Sequence, residues 1–376
     1  MTAINDLWPA PAVIAPNNFV FKSLSNWALN IAVGCSHACR FCYVPSAATV
    51  KQGPKLARYG VTDPDAEWGD YVLLRRWDEK RFLASLRAAE NTPSSRLKPD
   101  GNRAVMLCST TDPYQVIPHA EPEQRRRLAE HARFLVRRSL ELIRDHSTLN
   151  VRILTRSPLA RQDFDLCRSF GRRLLFGMSL PTLRNDLSKV YEPKAPSPSR
   201  RLATLQTAKD AGLHVFVALA PTYPECDEAD LRATLEAVAP LDPISVFHEP
   251  INIRAQNVAR IAQHAATLGV PLDTGVFGSR ERWQEYAFSA LRTVEAIASE
   301  IGLAYRLHPW PDKSLGSKSA LRHLAETSRL TTNAVQAWLE HSWRRISLWP
   351  SDDGPCRPEP TADRPQNCTR LTTRCW

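Results

Sequence analysis

Short runs of apolar and β-branched residues alternate along this chain with longer segments whose apolar positions recur every three or four residues. A strand buried on both faces reads as a continuous apolar run, so the short runs predict strands at Ala28–Val33, Ala104–Cys108, Asn150–Leu154, Arg173–Met178, His214–Leu219 and Ile244–Phe247. The clearest helical segment runs from Glu121 to Asp145, with Leu128, Ala132, Leu135, Val136, Leu140 and Ile143 on one face. Another begins after Ser197, a capping residue followed by Pro198 at the first helical position, and stops at Gly212. Strands alternating with helices imply βαβ units and a parallel sheet. Six such repeats give an α/β fold, an open, partial (β/α)6 version of the TIM-type barrel. Residues 1–18 read as an irregular lead-in and 19–310 as the barrel, with helices at 279–302, 317–327 and 331–347 and a short strand at Ala304–Leu307. Residues 311–349 form a helical C-terminal extension, and 350–376 a loose tail that carries cysteines.

Composition narrows the class. The chain has 376 residues, 43% hydrophobic and 23% charged, which suits a globular protein with a sizeable core. No apolar run approaches the roughly 18 residues of a membrane helix. The N-terminus lacks the basic start and apolar stretch of an export signal, so a cytoplasmic location is expected. The formal net charge of +10 fits a phosphate-bearing partner such as nucleic acid, and equally a surface kept soluble by charge. Arg125, Arg126, Arg127, Arg133, Arg137 and Arg138 lie on the long helix, where a solvated face outside a barrel is the better reading.

The chemistry starts at Gly34-Cys35-Ser36-His37-Ala38-Cys39-Arg40-Phe41-Cys42-Tyr43, directly after the first strand. The C-x3-C-x2-C spacing lets one short loop wrap three thiolates around a cubic [4Fe–4S] cluster, which has four irons and so keeps one open. Zinc would want four tetrahedral ligands, commonly as separated C-x2-C pairs, and His37 as the fourth would crowd the metal. A disulfide fits a reducing compartment poorly. The pattern resembles the signature of the radical S-adenosylmethionine (SAM) enzymes, and Phe41 fills the aromatic place before their third cysteine. That resemblance implies that Cys35, Cys39 and Cys42 hold a [4Fe–4S] cluster and that SAM chelates the open iron. One electron then releases a 5′-deoxyadenosyl radical. It also implies a reducing partner such as flavodoxin or ferredoxin.

The later strand ends carry polar clusters: Cys108-Ser109-Thr110-Thr111-Asp112-Pro113-Tyr114-Gln115, Thr155-Arg156-Ser157-Pro158, Ser179, Val190 to Ser197, Ala220 to Pro224, and His248-Glu249-Pro250-Ile251-Asn252. In barrels of this type, chemistry gathers at the C-terminal edge of the strands. Over roughly residues 20–255 these clusters resemble the radical SAM branch that contains spore photoproduct lyase. Ser109, Thr110 and Ser179 are then candidate hydrogen-bond donors to SAM, and Arg156 a bidentate partner for its carboxylate. Lyases of the branch place a Lys near that position, so Arg156 keeps the charge and changes the geometry. Asp112 and Glu192 are candidate acceptors for ribose or ammonium groups, or caps of the turns that Pro113 and Pro193 restrict.

Those lyases carry a hydrogen-returning Cys at the end of the second strand. Cys108 stands one residue further from Asp112 than in that pattern. Strand alternation would then turn its thiol into the core and put Ser109 in its place. Cys226, past the fifth strand, is a second candidate hydrogen donor, and Cys167 reads as structural. Cys356, Cys368 and Cys375 read as incidental thiols of the tail. Trp338, Trp343 and Trp349 read as barrel packing, or as stacking surfaces for bases.

These readings converge on a radical SAM enzyme, lyase-like, whose substrate is open: a damaged or modified nucleobase, or a peptide or small metabolite. A non-catalytic iron–sulfur or zinc binding module is the alternative from another class.

Overall fold

The computed structural model describes residues 4–17, 24–98, 102–254, 256–272 and 274–346. Its strands are β1 (Ile4–Pro11), β2 (Ile14–Pro16), β3 (Trp27–Leu29), β4 (Ala32–Gly34), β5 (Tyr71–Arg76), β6 (Ala104–Leu107), β7 (Asn150–Thr155), β8 (Leu174–Ser179), β9 (His214–Thr222), β10 (Val246–Pro250) and β11 (Leu307–Pro309). The helices are α1 (Gly53–Leu56), α2 (Glu79–Glu90), α3 (Pro122–His146), α4 (Phe164–Arg168), α5 (Asn185–Tyr191), α6 (Pro198–Asp210), α7 (Glu228–Val238), α8 (Asn257–Leu268), α9 (Arg280–Glu300), α10 (Lys318–Ser328) and α11 (Thr332–Ile346).

The large sheet runs β11-β10-β9-β8-β7-β6-β3-β2 and is parallel throughout except for β2, which pairs antiparallel with β3 at one edge. Each of the six predicted strands contributes to it, the first only through Ala28 and Leu29, and β11 extends it, three residues later than the short strand expected at Ala304. This is the expected α/β partial barrel with a helical C-terminal region. Helices α2, α3, α4, α6 and α7 bury their apolar stripes on the sheet. The stripe read from sequence on α3, from Leu128 to Ile143, is buried in full against Val105, Val151 and Ile153. Burying each large apolar side chain contributes about 1.5–3 kcal/mol. The opposite face of α3 is solvated, as expected, and ion-paired: Arg126 with Glu123 and Glu130, Arg138 with Glu79.

Three expectations need correction, and one strand, β5, has no counterpart among the predicted ones. The first strand is not continuous. At Asn30-Ile31 the chain leaves the large sheet, and Ala32–Gly34 joins a second sheet of order β1-β5-β4. The lead-in is not irregular: Ile4–Pro11 pairs parallel with β5. Its prolines hid it, yet proline is tolerated on an edge strand, where a missing N–H faces no partner. The run Tyr71–Arg76, buried on both faces at Tyr71 to Leu74, was too short for periodicity to separate strand from helix. Finally, Ser197 precedes α6 without capping it, since its hydroxyl bonds Ser199 instead of a backbone N–H. Asp78, Asp227, Ser279 and Ser317 do cap their helices through the side chain.

Helices α9, α10 and α11 build a small core of their own from Trp283, Phe288, Leu291, Leu321, Leu324, Val335 and Leu339. Trp338 packs there, edge-on to Phe288 and donating to Glu295 at 2.7 Å. Trp349, Cys356, Cys368 and Cys375 lie outside the described residues. Among the described residues, no helix is long and apolar enough to cross a membrane.

Candidate active site

The cysteine loop is fixed by its backbone. Gly34 closes β4 at φ +91, and a Cβ there would lie 2.2 Å from the carbonyl oxygen of Tyr71, so only glycine allows the approach. Ala38 takes a left-handed φ of +56, and Gly69, at φ +102, packs so closely that a Cβ would stand 2.2 Å from that of Ala38. Side chains distant in sequence then satisfy the loop's amides and carbonyls. Gln115 accepts from Ser36 N at 2.7 Å and donates to Thr111 Oγ1 at 2.7 Å, and Thr111 donates to the Gly34 carbonyl at 2.6 Å. From α8, Arg260 donates to the carbonyls of Arg40 and Cys42 and ion-pairs with Asp65, while Asn257 donates to that of Phe41. Backbone bonds from Arg40 to Tyr191 and from Lys194 to His37 close the other side.

The three thiols face one cavity of about 700 Å³ at the C-terminal ends of the parallel strands. Burial pushes each up to about 12, aided by the Asp112 carboxylate at Cys35 and by Cys39 at Cys42. At Cys39, Arg156 acts against burial. The thiols are therefore protonated until a cation arrives, and metal binding must displace those protons.

Residues 108–112 also line this cavity, every one of them. Strand alternation fails here because β6 ends at Leu107 and Cys108 adopts a left-handed φ of +66. Cys108 is thus both a member of the main core and part of the cavity wall, which the register argument did not allow. Burial holds its thiol well above the usual cysteine range. Ser109 and Thr110 are positioned by Asn30, whose amide donates to Ser109 Oγ at 3.3 Å and accepts from Thr110 N at 2.9 Å. Phe41, Arg156 and Ser179 reach the same wall, the Arg156 guanidinium 5.6 Å above the Phe41 ring.

Asp112 lies on the wall with its carboxylate already engaged. It accepts from Tyr114 N, Thr155 Oγ1 and Arg156 N and lies 3.2 Å from His37 Nε2. Burial opposes its ionisation, but His37 and these donors outweigh burial and hold it at about 2. Its geometry is that of a turn-fixing group. Glu192 stands behind the wall, clamped between Arg156 and the fully buried Arg201. Those two cations overcome burial and keep it below the usual carboxylate range. Its contact with the cavity is therefore indirect, through Arg156. Cys226 is off the cavity. It turns toward Asp230 beyond the stacked pair Tyr191–Tyr223, whose rings are 3.9 Å apart. Cys167 is buried in the main core, as expected of a structural thiol.

Sequence reasoning gave no role to Gln115, though it lies inside a quoted cluster. It also missed α8, where Arg260 recurs with Asn257, Ile261 and Ala265 on the buried face. A charged residue at an apolar helical position was the available signal. Trp310, Lys313 and Trp343 also line the cavity, together with Glu249, Asn252 and Arg254.

By its chemistry the donor set suits an iron–sulfur cube, which takes thiolates, although among the described residues no three Cys, His, Asp or Glu side chains stand grouped closely enough to hold a single metal ion. Three thiols from one loop face a space with room for a cluster and a ligand, small-molecule sites spanning about 300–1,000 Å³. A family model described as the radical SAM superfamily matches residues 29–238, more than half of the chain. An uncharacterised protein of Acidianus two-tailed virus is 33% identical over 67% of this chain and 76% of its own length. One from Methanocaldococcus jannaschii is 22% identical over 72% and 86%. Among solved structures, a mutant spore photoproduct lyase superposes with a TM-score of 0.55 at 12% identity, covering 82% of this chain and 81% of that one. A second, with bound AdoMet and dinucleoside spore photoproduct, gives 0.55 at 14% over the same shares. Those likenesses confirm the fold. The thiol loop, the parallel partial barrel and the family match together make this chain a member of the radical SAM superfamily.

Proposed function

We propose that the protein is a radical SAM enzyme acting on a damaged or modified nucleobase. One observation carries the reading: the three loop thiols, Phe41, the Cys108–Asp112 segment and Arg156 share the wall of a single cavity. The cluster and SAM, when bound, supply a 5′-deoxyadenosyl radical by one-electron reductive cleavage. Cys35, Cys39 and Cys42 would hold the metal. Arg156, fixed by Glu192, would meet the SAM carboxylate, and the Ser109 and Thr110 groups its polar edges. Phe41 offers an apolar face beside them. Cys108 adds a protonated thiol to the same wall, so a substrate radical could take its hydrogen atom. The S–H bond would break as a C–H bond forms, leaving the unpaired electron on sulfur.

Support for a nucleobase comes from the net charge of +10 and from the similarly folded spore photoproduct lyase mutant solved with AdoMet and dinucleoside spore photoproduct bound. An electron donor such as flavodoxin or ferredoxin follows from the chemistry. The test is anaerobic reconstitution, then incubation with SAM and dithionite. Formation of 5′-deoxyadenosine is expected. Its absence from protein carrying a full complement of iron would end the proposal. Cys108→Ala should leave that uncoupled cleavage intact.

A further inference from the structure

We infer that Arg40, Lys189 and Lys194 form the docking surface on which an acidic one-electron carrier protein reaches the cysteine loop. This rests on the radical reading, whose chemistry consumes one electron, and adds to it the place where that electron arrives.

The loop meets solvent at one point that is not the cavity. Residues 34–39 are buried, and Phe41, Cys42 and Tyr43 line the cavity. Of residues 34–43, Arg40 alone is part-exposed without lining it, so its side chain leaves the loop by another side. Electron transfer between proteins falls steeply with distance, and in the radical reading the cavity holds SAM and the reactant. The surface around Arg40, next in the chain to Cys39, is the approach that remains.

That surface is positively charged. The Arg40 N–H donates to the Tyr191 carbonyl at 2.9 Å, which brings the end of α5 alongside. Lys189, two residues before Tyr191, is exposed. His264 of α8 links the two: burial and then the Arg40 charge lower its imidazole, and its ring bonds the Lys189 backbone. Lys194 donates from its backbone N–H to the His37 carbonyl at 3.3 Å, while its ammonium meets Asp70 at 2.7 Å. Asp70 is the carboxylate that acts on Arg40, and Lys194 already neutralises it. Arg260 and Asp65 neutralise each other. Neither Arg40 nor Lys189 forms an ion pair among the described residues, so their two positive charges stand uncompensated.

Unpaired like charges held together favour an anionic partner. Transient electron-transfer encounters bury little surface and are steered by charge of this kind. A nucleic-acid strand would instead need its cations at the cavity, and none of Arg40, Lys189 and Lys194 lines it. The transfer moves one electron and no atom: the carrier is oxidised by one electron and the metal centre gains it.

The experiment mixes anaerobically reconstituted protein with an acidic flavodoxin photoreduced to its hydroquinone, and follows loss of visible absorption by stopped flow. Binding of the same flavodoxin, oxidised and dye-labelled, is read separately by anisotropy. At about 20 mM salt, Lys189→Glu should slow reduction and weaken binding about tenfold, and at about 0.5 M the deficit should shrink to about twofold. Arg40→Gln should cost about threefold in both. Arg127→Glu, a charge reversal at an exposed position of α3, should change neither. Dithionite, which needs no docking surface, should reduce all these proteins alike. Iron content and circular dichroism report on loading and fold, and the exposed Lys189 keeps the test decisive if Arg40→Gln loads poorly. Equal rates and affinities in wild type and Lys189→Glu, or an equal loss in Arg127→Glu, would overturn the inference. So would a tenfold loss of hexathymidylate affinity in Lys189→Glu, which would give the surface to nucleic acid. The enzyme reading fails differently: flavodoxin would reduce the wild type through this surface, yet SAM would yield no 5′-deoxyadenosine.

Discussion

At the thiol end of the cavity, backbone carbonyls and amides of residues 34–42 are met by Gln115, Thr111, Asn257 and Arg260, and two glycines admit approaches that no other residue permits. At the tryptophan end, the wall comes from short stretches after β10 and β11 and from α11, and a buried indole donor is left without a protein partner. The difference lies in the backbone, which distant side chains fix at the first end; a buried donor without a partner among the described residues occurs at both, as Arg40 Nε and as Trp310 Nε1. A loop that presents three thiols on one wall needs its peptide groups held by the rest of the chain, whereas a wall assembled from the ends of regular elements already has its backbone bonded.

The contrast can be broken most severely at the thiols. Cys39→Ala should lose cluster loading altogether, seen as absent iron and visible absorption, while Cys375→Ala should load normally. Retained iron in the first would refute the ligand assignment. Next comes Arg260→Ala, which strands Asp65 at 13% exposure and leaves two loop carbonyls without donors. Breaking a buried pair this way costs about 3–5 kcal/mol, measurable as a lowered urea midpoint together with reduced iron per chain. If the midpoint fell while iron stayed full, Arg260 would serve the fold and not the loop.

Gly69→Ala should cost about 1–3 kcal/mol through its clash with Ala38 and again lower the iron content. The smallest effect belongs to the opposite end. His248, whose carbonyl holds Trp310, is fully buried, and burial brings its imidazole down to about 3. A histidine lowered in the folded state contributes stability that is complete above about pH 6.5 and drains as pH falls toward 3. Between pH 6.5 and 5.5, wild-type protein should therefore lose about 1 kcal/mol more unfolding free energy than His248→Asn, at up to about 1.4 kcal/mol per pH unit. Parallel slopes in the two proteins would contradict this.

What could be read in the sequence was local. The thiol spacing, the six barrel strands and the apolar stripe of α3 each lie within one short window, where pattern and chemistry coincide. What escaped was set by distant partners. Arg260 meets Cys42 across 218 positions, and Gln115 meets Ser36 across 79, so neither role has a local signature. Cys226 stands just past β9 as expected and Glu192 follows α5, but the stacked tyrosines and the clamp of two arginines decide which way they look. Cys108 escaped its register argument through one left-handed residue.

The break in the first strand has a further effect. Cys35 follows directly on the smaller sheet, whereas Cys108 and Ser109, on the same cavity, follow directly on β6 of the larger. The span between the cysteine loop and the Cys108–Asp112 segment is thus governed by how one sheet is seated against the other. Asn30, at the crossing, ties that seating through Ser109 and Thr110 and so works as a spacer between the two sheets' contributions to the cavity.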